Sequence, residues 1–164
     1  MKITKDYALA ASQAFQQLAH ESEPFNFVYV SGHGASTEPG RFAPIFSRVK
    51  GETEVALAAL RKQNPLMHAS SVRPAGVDAS DHEAIKKYIP TPPLVYRMLA
   101  PLLAVPMRVM IPSLHSPTQE LGRVFTELAM GKHTITAGKD IATIGDFPIL
   151  ENPALRRLAA SSSQ

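Results

Sequence analysis

Ser31, His33 and Lys50 are the residues of this 164-residue chain whose groups and positions suit chemistry on a small molecule. Ser31 and His33 belong to the polar run Ser31-Gly32-His33-Gly34-Ala35-Ser36, where glycine admits backbone angles denied to other residues. Lys50 stands four residues after Phe46 in Phe46-Ser47-Arg48-Val49-Lys50. Residues at i and i+4 share a helix face, so whatever Lys50 faces, Phe46 faces too. A hydroxyl, an imidazole and an amine can exchange protons with a substrate unaided, as in a cofactor-independent isomerase or lyase. Each also has an ordinary role. Ser31 suits turn chemistry, His33 a solvated loop, Lys50 a solvated helix face, and Phe46 core packing, since a phenyl ring has no proton to give.

Other chemistries are excluded by what the chain lacks. It contains no cysteine, which removes disulfides, thiol nucleophiles and Cys-based metal sites and suits a reducing compartment. His20, His33, His68, His82, His115 and His133 are dispersed, with no i,i+4 pair and no H-E-x-x-H, so no metal site is expected. The formal charge is +3, with Lys and Arg scattered, and no nucleic-acid partner is expected. Residues 94–114 are largely apolar, but Arg97, Arg108 and several prolines interrupt them. A transmembrane span needs about 20 apolar residues, so none is expected there. Contact of this region with a membrane surface or a partner protein is the alternative. A polar segment follows Met1 in place of an apolar leader, and the expected location is cytoplasmic.

The elements that must position these groups follow from periodicity. Apolar residues from Thr4 to His20 recur at helical spacing. Phe25–Val30 (FNFVYV) is a nearly continuous apolar and β-branched run, the pattern of a strand buried on both faces. Pro44–Leu60 reads as a helix whose core face carries Ile45, Val49, Ala56 and Leu60, and Leu66–Val72 reads as a second strand. Together they predict one βαβ unit. Beyond Asp78 a short helix over Ser80–Tyr88 and helical pieces over 94–103 and 105–111 are expected. An amphipathic helix carrying Leu121, Val124, Phe125 and Leu128 should follow, with a hairpin in His133–Ile144 and a last helical turn at Leu155–Ala159.

In order, Ser31 after the first strand, Phe46 and Lys50 on the crossover helix, and Arg73-Pro74-x-Gly76 after the second strand resemble the short-chain dehydrogenase/reductase superfamily. The likeness is to its small atypical, nucleoside-diphosphate-sugar epimerase-like members, and the closing segment Glu151–Ala159 extends it. The resemblance implies an α/β fold: a partial Rossmann-type βαβ unit with parallel strands over residues 1–79, a mostly helical, Pro-rich substrate-side region over 80–160, and a disordered tail over 161–164. It implies NAD(P)-linked oxidoreduction or epimerisation of a small carbonyl or sugar-like substrate. Ser31, Lys50 and His33 would be catalytic, and Lys50, Arg73, Pro74 and Gly76 would bind NAD or NADP. In that family a tyrosine occupies the position of Phe46 and serves as the acid/base. A Gly-rich turn cradles the pyrophosphate there, and no G-x-G-x-x-G occurs here. The expectation is therefore an incomplete or degenerate relative, corresponding to the C-terminal portion of the fold. It would not bind the dinucleotide alone, and it would associate with itself or with a partner protein.

Overall fold

The computed structural model describes residues 3–89, 91 and 112–162. The helical pieces expected over 94–103 and 105–111, and most of the apolar 94–114 region, lie outside the described residues.

Four strands form one sheet in the order β1-β2-β6-β5, where β1 is Phe25–Val30, β2 Met67–Arg73, β5 Ile141–Ile144 and β6 Phe147–Glu151. β1, β2 and β6 run parallel, and β5 pairs antiparallel with β6 as a hairpin. Two short strands, β3 (Gly76–Asp78) and β4 (His115–Pro117), form a separate parallel pair. Helices cover both faces of the main sheet. On one side, α1 (Asp6–Phe15) and α2 (Ile45–Gln63) pack with Ala8, Leu57 and Ala58 against Tyr29, Met67, Ala69, Phe147 and Ile149. On the other, α4 (Thr118–Ala129) and α5 (Asn152–Ser161) pack with Leu121, Val124, Leu128, Leu155 and Ala159 against Val72 and Leu150. The short helix α3 (Glu83–Lys86) lies between β3 and β4 in the chain. Successive strand residues thus serve opposite cores, which is why β1 and β6 read as apolar runs and not as alternating ones.

The α/β class with parallel strands is present. The division into a half-sheet over 1–79 and a helical region over 80–160 is not how the strands are arranged. β6, from the far end of the chain, pairs with β2, so the sheet draws on both halves. The cause is local. Gly145 adopts φ +57° between the paired residues Ile144 and Phe147, the geometry of a two-residue hairpin loop. The hairpin therefore turns at Gly145-Asp146, and only its first strand falls within the expected His133–Ile144 stretch.

α2 buries Val49 and Leu57 and packs Leu60 on the core, as its apolar spacing suggests, but its inner face also takes in small and polar residues. Ser47, Val49, Gly51, Thr53, Glu54, Leu57 and Ala58 are buried, whereas Ile45 is exposed. Small and polar residues face inward because two features need them there. At Gly51 the loop carbonyl of Ser36 passes so close that an added Cβ would lie 1.7 Å from it. At Glu54, which is fully buried, the carboxylate accepts hydrogen bonds from Ser71 Oγ (2.8 Å), Arg73 Nε (3.0 Å) and Arg73 Nη2 (2.5 Å).

Candidate functional site

The loop after β1 and the turn after β2 leave the sheet side by side. Ser31 N–H donates to the Val72 carbonyl and His33 N–H to the Pro74 carbonyl, each at 2.9 Å, continuing the parallel ladder past the strand ends. The chain then turns. Ala35 N–H donates to the Gly32 carbonyl at 3.0 Å, and Gly34 takes φ +83°, as the third residue of a type II turn requires. Ser36 N–H reaches the Ser47 carbonyl at 3.2 Å, which fastens the loop to the first turn of α2.

Between these segments lies an open cleft of about 550 Å³, within the range of small-molecule sites. Its polar lining residues are Ser31, His33 and Lys50. Its apolar wall comes from Val30, Phe46, Pro74, Val77 and Leu114, and Gly76 also borders it. Gly76 and Val77 of β3 and Leu114, just before β4, border it, and a buried hub holds the β3–β4 pair in place. Asn152 Oδ1 accepts from Ser116 Oγ (2.6 Å) and Ala75 N–H (3.3 Å), while its Nδ2 donates to the Ser113 carbonyl (2.7 Å). On the outer side of that pair, Asp78 meets His115 at 2.9 Å.

Ser31 is only 3% exposed, and its Oγ has no hydrogen-bond partner among the described residues. Lys50 is half-buried and donates its Nζ to the Ser31 carbonyl. Burial pushes its pKa down, and the Glu54 charge acts in the opposite sense. Phe46 is not a core residue. It is 53% exposed, borders the cleft and lies over Gly34. His33 borders the cleft from the exposed loop. Tyr29, the other hydroxyl near this end of β1, is absent from the lining. It is buried beneath α2, and burial raises its pKa, with Thr53 opposing and Glu54 reinforcing.

Arg73 points away from the cleft. Its guanidinium pairs with Glu54 and, at 2.7 Å, with Glu151. Burial alone would lower its pKa, but the hydrogen bonds and charges of the two carboxylates more than offset this. Arg73 is thus committed to joining α2, β2 and the end of β6, while Pro74 and Gly76 remain at the cleft. Spacing alone did not single out Glu54 or Asn152. Asn152-Pro153 does carry a helix-start signal. Glu54 looks like any helix carboxylate until Arg73 is brought beside it.

Among the described residues, those around this loop do not fit a dinucleotide bound in the usual manner. The loop of Gly32 and Gly34 is followed by α2 only at Ile45, so no helix N-terminus stands directly behind it to meet a pyrophosphate. The arginine that the resemblance assigns to the cofactor is occupied by two carboxylates. Among the described residues no group of His, Asp or Glu could hold a metal ion, and no described helix is long and apolar enough to cross a membrane.

No protein-family model and no solved structure matches the chain. It is similar to the botcinic acid biosynthesis cluster B protein 16 of Botryotinia fuckeliana (strain B05.10), with 38% identity over 157 residues. The match covers 94% of this chain and 99% of that relative. Identity of this extent over nearly the whole of both chains is shared descent, and the chain belongs to the family of that biosynthesis cluster protein.

Proposed function

We propose that the chain is a short-chain dehydrogenase/reductase-like protein of partial Rossmann type. It binds a small carbonyl or sugar-like molecule in the cleft beyond β1 and β2, and alone it does not perform the nicotinamide-dependent oxidoreduction or epimerisation of that superfamily. The observation that carries this reading is the convergence of Ser31, Phe46, Lys50, Pro74 and Gly76 on one cleft. That cleft lies beyond the carboxyl ends of parallel strands, where open α/β sheets bind their ligands. The order β1-β2-β6 with helices on both faces supports it further. Phe46 in place of a phenol, and the engaged Arg73, argue against hydride transfer by the usual means. The relative's name ties it to a biosynthesis cluster, and a part in small-molecule biosynthesis is proposed for this chain on that basis. Titration of the purified chain with NADH and NADPH, followed by nicotinamide fluorescence, tests the reading. No change is expected, and micromolar binding would overturn the claim that the chain alone lacks a dinucleotide site.

A non-catalytic binding or scaffold role has its own supporting observation. Among the described residues β1 is an edge strand, and Phe15, which stacks on Phe25 of that strand at 5.7 Å, is 44% exposed. Bare strand edges invite pairing with another chain. Sedimentation over a concentration series tests self-association, and a monomer throughout would remove that form of the reading.

A further inference from the structure

Lys50 is placed unlike an ordinary helix lysine. Its amine is drawn in from solvent to the lip of an apolar cleft, and no carboxylate pairs with it among the described residues. Glu54, one turn further along α2, is taken up by Arg73 and Ser71. The partner of Nζ is a backbone carbonyl, that of Ser31. Its approach passes the bare backbone of Gly32, where an added Cβ would stand 3.4 Å from Nζ. Phe46, on the same helix face, offers no phenol for an ammonium to assist. The residue whose carbonyl takes that amine, Ser31, also has a hydroxyl buried with no partner among the described residues, and burying a hydroxyl unpaired is costly.

We propose that Lys50 is a covalent residue, whose Nζ forms an imine with the carbonyl carbon of a small aldehyde or ketone held in the cleft. The inference rests on the reading of the cleft as a small-molecule site. The neutral amine attacks the carbonyl carbon, a C–N bond forms, and the C=O π pair moves to oxygen. The Ser31 Oγ–H donates to that oxygen, which satisfies its buried hydroxyl. The addition product passes a proton from nitrogen to oxygen through water in the open cleft mouth, and the oxygen leaves as water. The proton that the ammonium gives to water before the attack returns to the departing hydroxyl, so the sum is one ammonium and one carbonyl giving one protonated imine and one water, with no oxidant, reductant or cofactor. The positive C=N group then draws electrons from the neighbouring carbon and labilises its protons, the chemistry of a cofactor-independent isomerase. The downward push on the Lys50 pKa supports this by enlarging the free-amine fraction near neutral pH.

The full chain is treated with benzaldehyde and sodium cyanoborohydride, and the reduced adduct is located by peptide mass mapping. Labelling is expected at Lys50 severalfold faster than at exposed Lys62 or Lys86, because burial at the cleft enlarges its free-amine fraction. Lys50→Arg, which keeps the charge and a donor toward Ser31, should lose this fast adduct, and Ser31→Ala should slow it severalfold. Benzyl alcohol, which cannot form an imine, reports cleft occupancy separately by saturation-transfer NMR. If the alcohol binds while Lys50 labels no faster than the surface lysines, the imine proposal is overturned and the small-molecule reading stands. If neither binds nor labels, both fall.

Discussion

At the level of single residues, Lys50 makes the clearest claim about solution behaviour. Burial holds its folded pKa below the ordinary 10.5, so between those two values the unfolded chain binds more protons than the folded one. Stability therefore rises with pH across that window, and the burden of the charged form is fully present below the folded pKa. Lys50→Met removes this contribution. Urea midpoints measured near neutrality and at about pH 9.5 should rise less with pH in the variant than in the parent. Parallel pH dependences would show that Lys50 is not burdened by its surroundings. The residue types of Ser31, His33 and Lys50 were readable from spacing. Whether Phe46 faces core or cleft was not, because one helix register offers both.

Among the elements, α2 shows how packing overrides propensity. Replacing a helical glycine by alanine ordinarily gains roughly 0.5–1 kcal/mol. At Gly51 the added methyl would meet the Ser36 carbonyl, backbone that cannot step aside cheaply. Gly51→Ala is expected to destabilise by about 1–3 kcal/mol, read by chemical denaturation. A stabilised variant would mean that the loop is not held against α2. The Glu54–Arg73 pair links α2 to β2, and removing one member leaves the other buried without its main counter-charge. Glu54→Ala should cost about 3 kcal/mol, the low end for such losses because Glu151 still pairs with Arg73. Glu54→Leu combined with Arg73→Met should recover most of that, since well-packed apolar pairs often replace buried ion pairs without loss. A double variant as unstable as Glu54→Ala would instead make the ion pair itself a net stabiliser.

For the molecule as a whole, the return of β6 to the side of β2 predicts that the described residues unfold as one cooperative unit. Val72, Leu150 and Leu155 lie in one core, drawn from both ends of the chain. Cutting between Asp78 and Ser80 should leave two fragments that neither unfold cooperatively nor resist proteolysis alone. Mixing them should restore both properties if each half presents its edge to the other. A cooperative transition by circular dichroism in the isolated 1–79 fragment would contradict this and restore the division at Asp78.

The order of β1, α2 and β2, the amphipathic α4 and the chemically able residues near the first strand end were set by local sequence. Each depends on periodicity or on neighbours within a turn or two. Tertiary structure decided three things that no local pattern encodes. It brought Phe147–Glu151 beside β2, because the edge of β2 not paired with β1 takes a strand distant in sequence. It turned Arg73 from a prospective ligand contact into the partner of Glu54 and Glu151, because a guanidinium that close to buried carboxylates is held by them. It also left the amine of Lys50 without a carboxylate partner among the described residues, on the carbonyl of a serine whose hydroxyl is unsatisfied. That combination arises only where two strand ends and the first turns of one helix meet.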